Sequence, residues 1–277
     1  MSNSTKPDNT YRLVLFDTPD DPRAVRDLLC AVTGDHPTDA AQWVARAPGI
    51  WARPLAEGEV RELLDGLYDL GVAAEAWRLD ALPKLSPPRT VHEVACLPDG
   101  LRITGLRGEP THWVPWDKIE LIHAGAIRQN DEVRPVAPLD WSSAFMDGVR
   151  ALTHRPGRLP PRASRARSEP RPPIGEIHVV RKDPRVVFRL VENEMNYSYL
   201  GDRLLPSASE NFPSLLADLL ERSRTAYVTA AARALLDRDD PEVYTFDSPQ
   251  EMLHDTTLKL LWSWYRRDRD ANSDTRA

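Results

Sequence analysis

The side chains able to titrate, ligate a metal or attack a substrate are thinly spread in this 277-residue chain. Its seven histidines (His36, His92, His112, His123, His154, His178 and His254) show no metal-ligand spacing. Cys30 and Cys96 both sit in apolar runs, which fits neither a zinc site nor a disulfide framework. Cys30 falls on the apolar face of a helical repeat, where a thiol behaves as a small hydrophobe. Asp20-Asp21 and Asp239-Asp240 are paired carboxylates, but each pair borders a helix, where capping explains it better than acid–base work. Gly-x-Gly-x-x-Gly, Walker and Gly-x-Ser-x-Gly patterns are all missing from the sequence. The expectation is no catalytic residue, no metal and no cofactor.

Two other sets of residues suit binding. In 154–173, Arg155, Arg158, Arg162, Arg165, Arg167 and Arg171 are opposed only by Glu169, and six prolines predict a stretch without regular structure. Six guanidinium groups on such a strand suit RNA or ribosomal phosphates, or an acidic protein surface; a solvated linker is the plainer reading. Trp262 and Trp264, with Tyr265, could anchor a protein partner, because aromatics dominate interface hot spots. Packing on the barrel of the second domain or between domains is the slightly favoured alternative, since Trp262 and Trp264 cannot both face one core.

The whole chain bounds these options. It is 41% hydrophobic and 28% charged, with a net charge of −6, which argues against a surface built throughout for nucleic acid. No apolar run approaches the roughly 20 residues that cross a bilayer, and the polar opening MSNSTKPDNT lacks a signal-peptide core. A cytoplasmic location without integral membrane association is expected. Only five of 36 basic residues are lysine, which reads as a GC-rich bacterial genome.

Periodicity positions the elements. Leu13 to Phe16 form a short strand; Val25, Leu28, Leu29 and Val32 repeat at helical spacing between an aspartate cap and Gly34. A short helix holds Ala40, Ala41, Trp43 and Val44, a strand follows Pro48, and a longer helix buries Val60, Leu63, Leu64 and Leu67 before Gly71. Such an order predicts a small sheet with its helices on one face.

This order, with Thr33-Gly34, Ala40-Ala41, Ala47-Pro48 and Leu70-Gly71-Val72, resembles the C-terminal domain of the bacterial ribosomal stalk protein. A related fold with a Tyr-x-Val-x-Leu opening occurs in the Clp protease adaptor; Tyr11 to Leu15 here reads Tyr-Arg-Leu-Val-Leu. The resemblance spans roughly a quarter of the chain. In the stalk domain the first two helices receive translational GTPases, and the matching positions here are Pro22, Arg23, Arg26, Asp27, Cys30, Thr38 and Ala41. Where the Clp adaptor has its degron pocket, this chain has Asp17-Thr18 and Ala47-Pro48.

From Thr90 the texture changes to strands, with a hairpin around Pro98-Asp99-Gly100 and further strands around Asp183-Pro184 carrying Ile177, Val179, Val187, Phe188, Tyr197 and Tyr199. Val114-Pro115-Trp116-Asp117-Lys118-Ile119 is similar to bacterial pleckstrin-homology-like domains. That resemblance implies a β-barrel closed by the helix that starts near Ser207. Residues 139–152 read as one short helix with Trp141, Phe145 and Val149 on a face. TAYVTAAARALLDR reads as a second, alanine-rich helix, and a last helix starts at Ser248-Pro249.

The expected fold is α+β. It comprises a polar tail (1–9), a stalk-like sandwich (10–82), a proline linker (83–88), a pleckstrin-like β domain (89–238) interrupted at 154–173, and a helical tail (239–277). The leading functional expectation is a non-catalytic adaptor with unidentified protein partners. The alternatives are a ribosome- or translation-associated factor using the stalk-like domain and the arginine segment, and an enzyme with an unrecognised site.

Overall fold

The computed structural model describes residues 10–83, 85–104, 111–129 and 171–274, and the fold over them is mixed α+β. The first six elements are β1 (Tyr11–Leu15), α1 (Pro22–Thr33), α2 (Pro37–Val44), β2 (Gly49–Ile50), α3 (Glu57–Asp69) and β3 (Ala74–Arg78). Asp21 caps α1 by accepting from the backbone N–H groups of Arg23 and Ala24, and Gly34 ends it in the left-handed region (φ 69°). The strands form an antiparallel sheet in the order β2-β1-β3.

Alternation along β1 splits its side chains between two cores. Leu13 and Leu15 face α1–α3, together with Val25, Leu29, Leu63 and Leu67. Val14 and Phe16 point the other way, onto the last helix of the chain. The sheet is therefore covered on both faces, where periodicity within residues 10–82 predicts helices on one. The covering helix begins at Pro249, more than 230 residues after β1 ends at Leu15, so no local pattern could announce it.

The second part builds two further sheets. One is the antiparallel set β5 (Glu93–Leu97), β6 (Gly100–Thr104) and β7 (His112–Pro115). The other runs β11 (Tyr227–Val228), β8 (Ile119–Gln129), β9 (Arg171–Arg181), β10 (Val186–Val191), β4 (Arg89–Val91), with β12 (Thr245–Phe246) also paired to β8. Among the described residues no sheet closes on itself as a barrel. One face of the large sheet packs Ile122, Ala124, Ile177, Val179, Phe188 and Leu190 against the small sheet and against α4 (Ala208–Arg222). Ser207 caps α4 in a reciprocal box with Glu210.

Three local readings change. Tyr227 and Val228 are a strand pairing in parallel with β8, so helix α5 (Ala230–Asp237) begins only after its cap Thr229. Tyr197 and Tyr199 leave the sheet for turns, where the Tyr197 hydroxyl donates to the Glu192 carbonyl at 2.7 Å and the Tyr199 hydroxyl to Asp218 at 3.1 Å. Arg171, Pro172 and Pro173 open β9, with Arg171 opposite Gln129, instead of lying in an irregular stretch. The expected helix at 139–152 lies outside the described residues.

The final helix, α6 (Pro249–Asp274), is wedged between the two parts. Leu258 and Leu261 meet Val14 and Phe16 of the first sheet, while Leu260 meets Leu121, Val180 and Val187 on the open face of the large one. A helix buried on two sides cannot show one clean apolar stripe.

Candidate functional site: the polar seam beneath α6

Strand alternation sends Leu121, His123 and Gly125 of β8, and Glu176, His178 and Val180 of β9, to the face covered by α6. The register sets His123 directly opposite His178 and Gly125 opposite Glu176. Both histidines are fully buried and Glu176 is 1% exposed. Buried polar groups are costly unless bonded; α6 and its neighbours supply partners to both histidines, although His123 Nε2 makes no hydrogen bond.

His178 Nδ1 lies 2.7 Å from Thr256 Oγ1, and Nε2 lies 2.8 Å from Glu176 Oε1. The Thr256 hydroxyl donates to the Met252 carbonyl one turn back (2.7 Å), so its oxygen is left to accept the Nδ1–H of His178. The bond to Glu176 then needs one proton held between imidazole and carboxyl. On its other side Glu176 Oε2 meets the Arg189 guanidinium at 2.7 Å. Burial works to raise the Glu176 carboxyl, but the bonds from His178 and Arg189 outweigh it and hold the group below the usual carboxylate range.

His123 is held differently. Nδ1 lies 3.0 Å from Thr229 Oγ1, the cap of α5, which also accepts from the Ala232 N–H. Nε2 faces Asp255 Oδ2 of α6 at 3.3 Å, and the Phe246 ring stands edge-on at 5.5 Å. Burial, with the positive charges of His178 and Lys259 nearby, drives the His123 ring well below the ordinary histidine range, so it is neutral. Burial also raises the Asp255 carboxyl, against the pull of Lys259 3.7 Å away. Gly125 is required here: a Cβ would lie 2.4 Å from the Phe246 ring and 2.7 Å from the Tyr244 carbonyl.

Further along α6 the seam turns aromatic. Trp264 Nε1 donates to Glu120 Oε1 (2.8 Å), its ring carries the Arg185 guanidinium at 4.7 Å, and it tilts against Trp77 at 5.5 Å. Trp262 meets Phe16 at 5.2 Å and stacks on Tyr265. Both tryptophans singled out in the sequence thus pack in the junction, one on β1 and the other bridging β3 to the large sheet. Arg155, Arg158, Arg162, Arg165 and Arg167 lie outside the described residues, and Arg171 is exposed at the start of β9.

Among the described residues, two clefts that reach solvent bear on function. One, of about 260 Å³, places Lys182, Arg266 and Arg267 near Glu120 and Asp270. The other, of about 410 Å³, opens on the opposite face of the large sheet, between α4 and α5. Neither is lined by a histidine or a cysteine. Burial pushes the Cys96 thiol up to about 12, with Asp218 adding to the effect, so it stays protonated. Among the described residues no group of three or more His, Cys, Asp and Glu could hold a metal ion, and no helix is long and apolar enough to cross a membrane. A scan against protein-family models and searches of curated proteins and of solved structures find no match to this chain.

Sequence reasoning missed the His123–His178 pair because cross-strand register has no signature in spacing along the chain. The available signal was a pair of histidines on the inward positions of otherwise apolar strands. A polar residue there needs a buried partner.

Proposed function

We propose that this protein is a non-catalytic interaction protein, an adaptor in which α6 fastens a stalk-like α/β sandwich to a pleckstrin-like β domain. The observation that carries this reading is where the densest set of titratable side chains lies. His123, His178, Glu176, Arg189 and Asp255 are spent on holding a helix to a sheet, and a catalytic set needs a cleft that a substrate can enter. Rigid attachment of two binding-type units fixes the spacing of the surfaces they present. That favours protein partners engaged by both units at once. A cytoplasmic setting suits two free, partly buried thiols, Cys30 and Cys96.

The test is affinity purification of the intact chain from its native cell at low and high salt. One defined protein partner retained at high salt supports the adaptor. A turnover abolished by a single substitution in either cleft contradicts it.

A further inference from the structure

The larger cleft has features of its own, and they stand independently of the adaptor reading. Its apolar walls are Phe212, Pro213 and Leu216 of α4 and Leu235 of α5, and its volume of about 410 Å³ is of small-molecule size. Gly175 shapes the floor. A Cβ there would lie 2.5 Å from the Phe212 ring and 2.8 Å from Glu192 Oε2, so glycine lets both close onto the strand. Glu192 is fixed in place, because its Oε2 accepts the Gly175 N–H at 2.8 Å. Arg238 lines the same cleft and is set by the left-handed backbone that ends α5 (φ 57°).

An apolar cleft with one carboxylate and one guanidinium selects its ligand by charge. A charged head of either sign is attracted by one of these groups and opposed by the other. A neutral head that both donates and accepts hydrogen bonds suits the two together. We propose that this cleft binds a small apolar molecule with a neutral hydroxyl or amide head, its chain lying along Phe212, Leu216 and Leu235 and its head between Glu192 and Arg238.

The experiment titrates the intact protein with three probes sharing one alkyl chain: 1-octanol, octanoate and octylamine. Calorimetry or protein-observed NMR reads the binding. The proposal expects saturable single-site binding of 1-octanol, with each charged probe weaker by about tenfold, the size of one mismatched polar contact. Leu235→Trp fills the cleft from its wall and abolishes that binding; Ser209→Trp fills it from the rim if the first variant does not fold. Arg238→Gly, at a left-handed position where glycine is at ease, brings octylamine up to the affinity of 1-octanol. The proposal is overturned by no saturable 1-octanol binding, by binding unchanged in the filling variants, or by a charged probe binding wild type as tightly as the alcohol.

Discussion

His123 and His178 face each other across β8 and β9 with ring centroids 6.5 Å apart, and neither ring reaches solvent. One is bonded to the cap of α5 and faces Asp255; the other is locked between Glu176 and a threonine of α6. The pair therefore ties the cap of α5 and the helix α6 to one point on the large sheet.

The buried His123 makes stability depend on pH. An unfolded histidine titrates near 6.5, and the folded ring titrates well below that. As pH falls through 6.5 the unfolded chain takes up a proton that folded His123 refuses, so stability drops, by at most about 1.4 kcal/mol per pH unit from this ring. Asp255, raised in the fold, gains its proton there first and acts with the opposite sign. Urea denaturation between pH 7 and pH 5 should show wild type losing stability, with the loss removed in His123→Gln.

Glu176 compensates both His178 and Arg189. Glu176→Ala leaves the buried His178 and the partly buried Arg189 without their acceptor and should cost about 3 kcal/mol in urea denaturation at pH 7. Replacing Glu176 and Arg189 together by leucine should cost less than the single change, because no partner is left stranded on that side.

Trp264 links both sheets to α6. Trp264→Ala removes the bond to Glu120, the platform for Arg185 and the contact with Trp77, and should cost about 3 kcal/mol. A double-mutant cycle with Trp77→Ala should give a coupling of roughly 1 kcal/mol. Zero coupling would mean that the first sheet does not rest on this ring.

Gly125→Ala should destabilise by about 1–3 kcal/mol, since the Tyr244 carbonyl is backbone and cannot step aside cheaply. Gly34→Ala acts by another route. Open space surrounds its missing Cβ, so only the left-handed backbone is strained, and about 1 kcal/mol is expected.

Much of the first part was legible because its signals are local. Asp21, Gly34 and Gly71 bound their helices by rules that need no tertiary information. The hairpin of β5 and β6 followed from one turn, with Leu97 opposite Gly100. Strand β11 was hidden because Tyr227 and Val228 are extended only by pairing with β8, and an alanine-rich run beside them reads as helix. The seam was illegible for the same reason. His123 and His178 become partners only when two strands distant in sequence align, and Trp262 and Trp264 make sense only once α6 has a sheet on each side.

The measurement that tests the fastening most directly is hydrogen–deuterium exchange of α6 in wild type and in His178→Leu, which cannot bond Thr256 or Glu176. If α6 is the clasp, amides around Met252 to Trp264 lose protection in the variant, and β1, whose Val14 rests on that helix beside the adjoining Phe16, loses protection with them. Protection of α6 and β1 equal to wild type, with exchange confined to β8 and β9, would contradict the account.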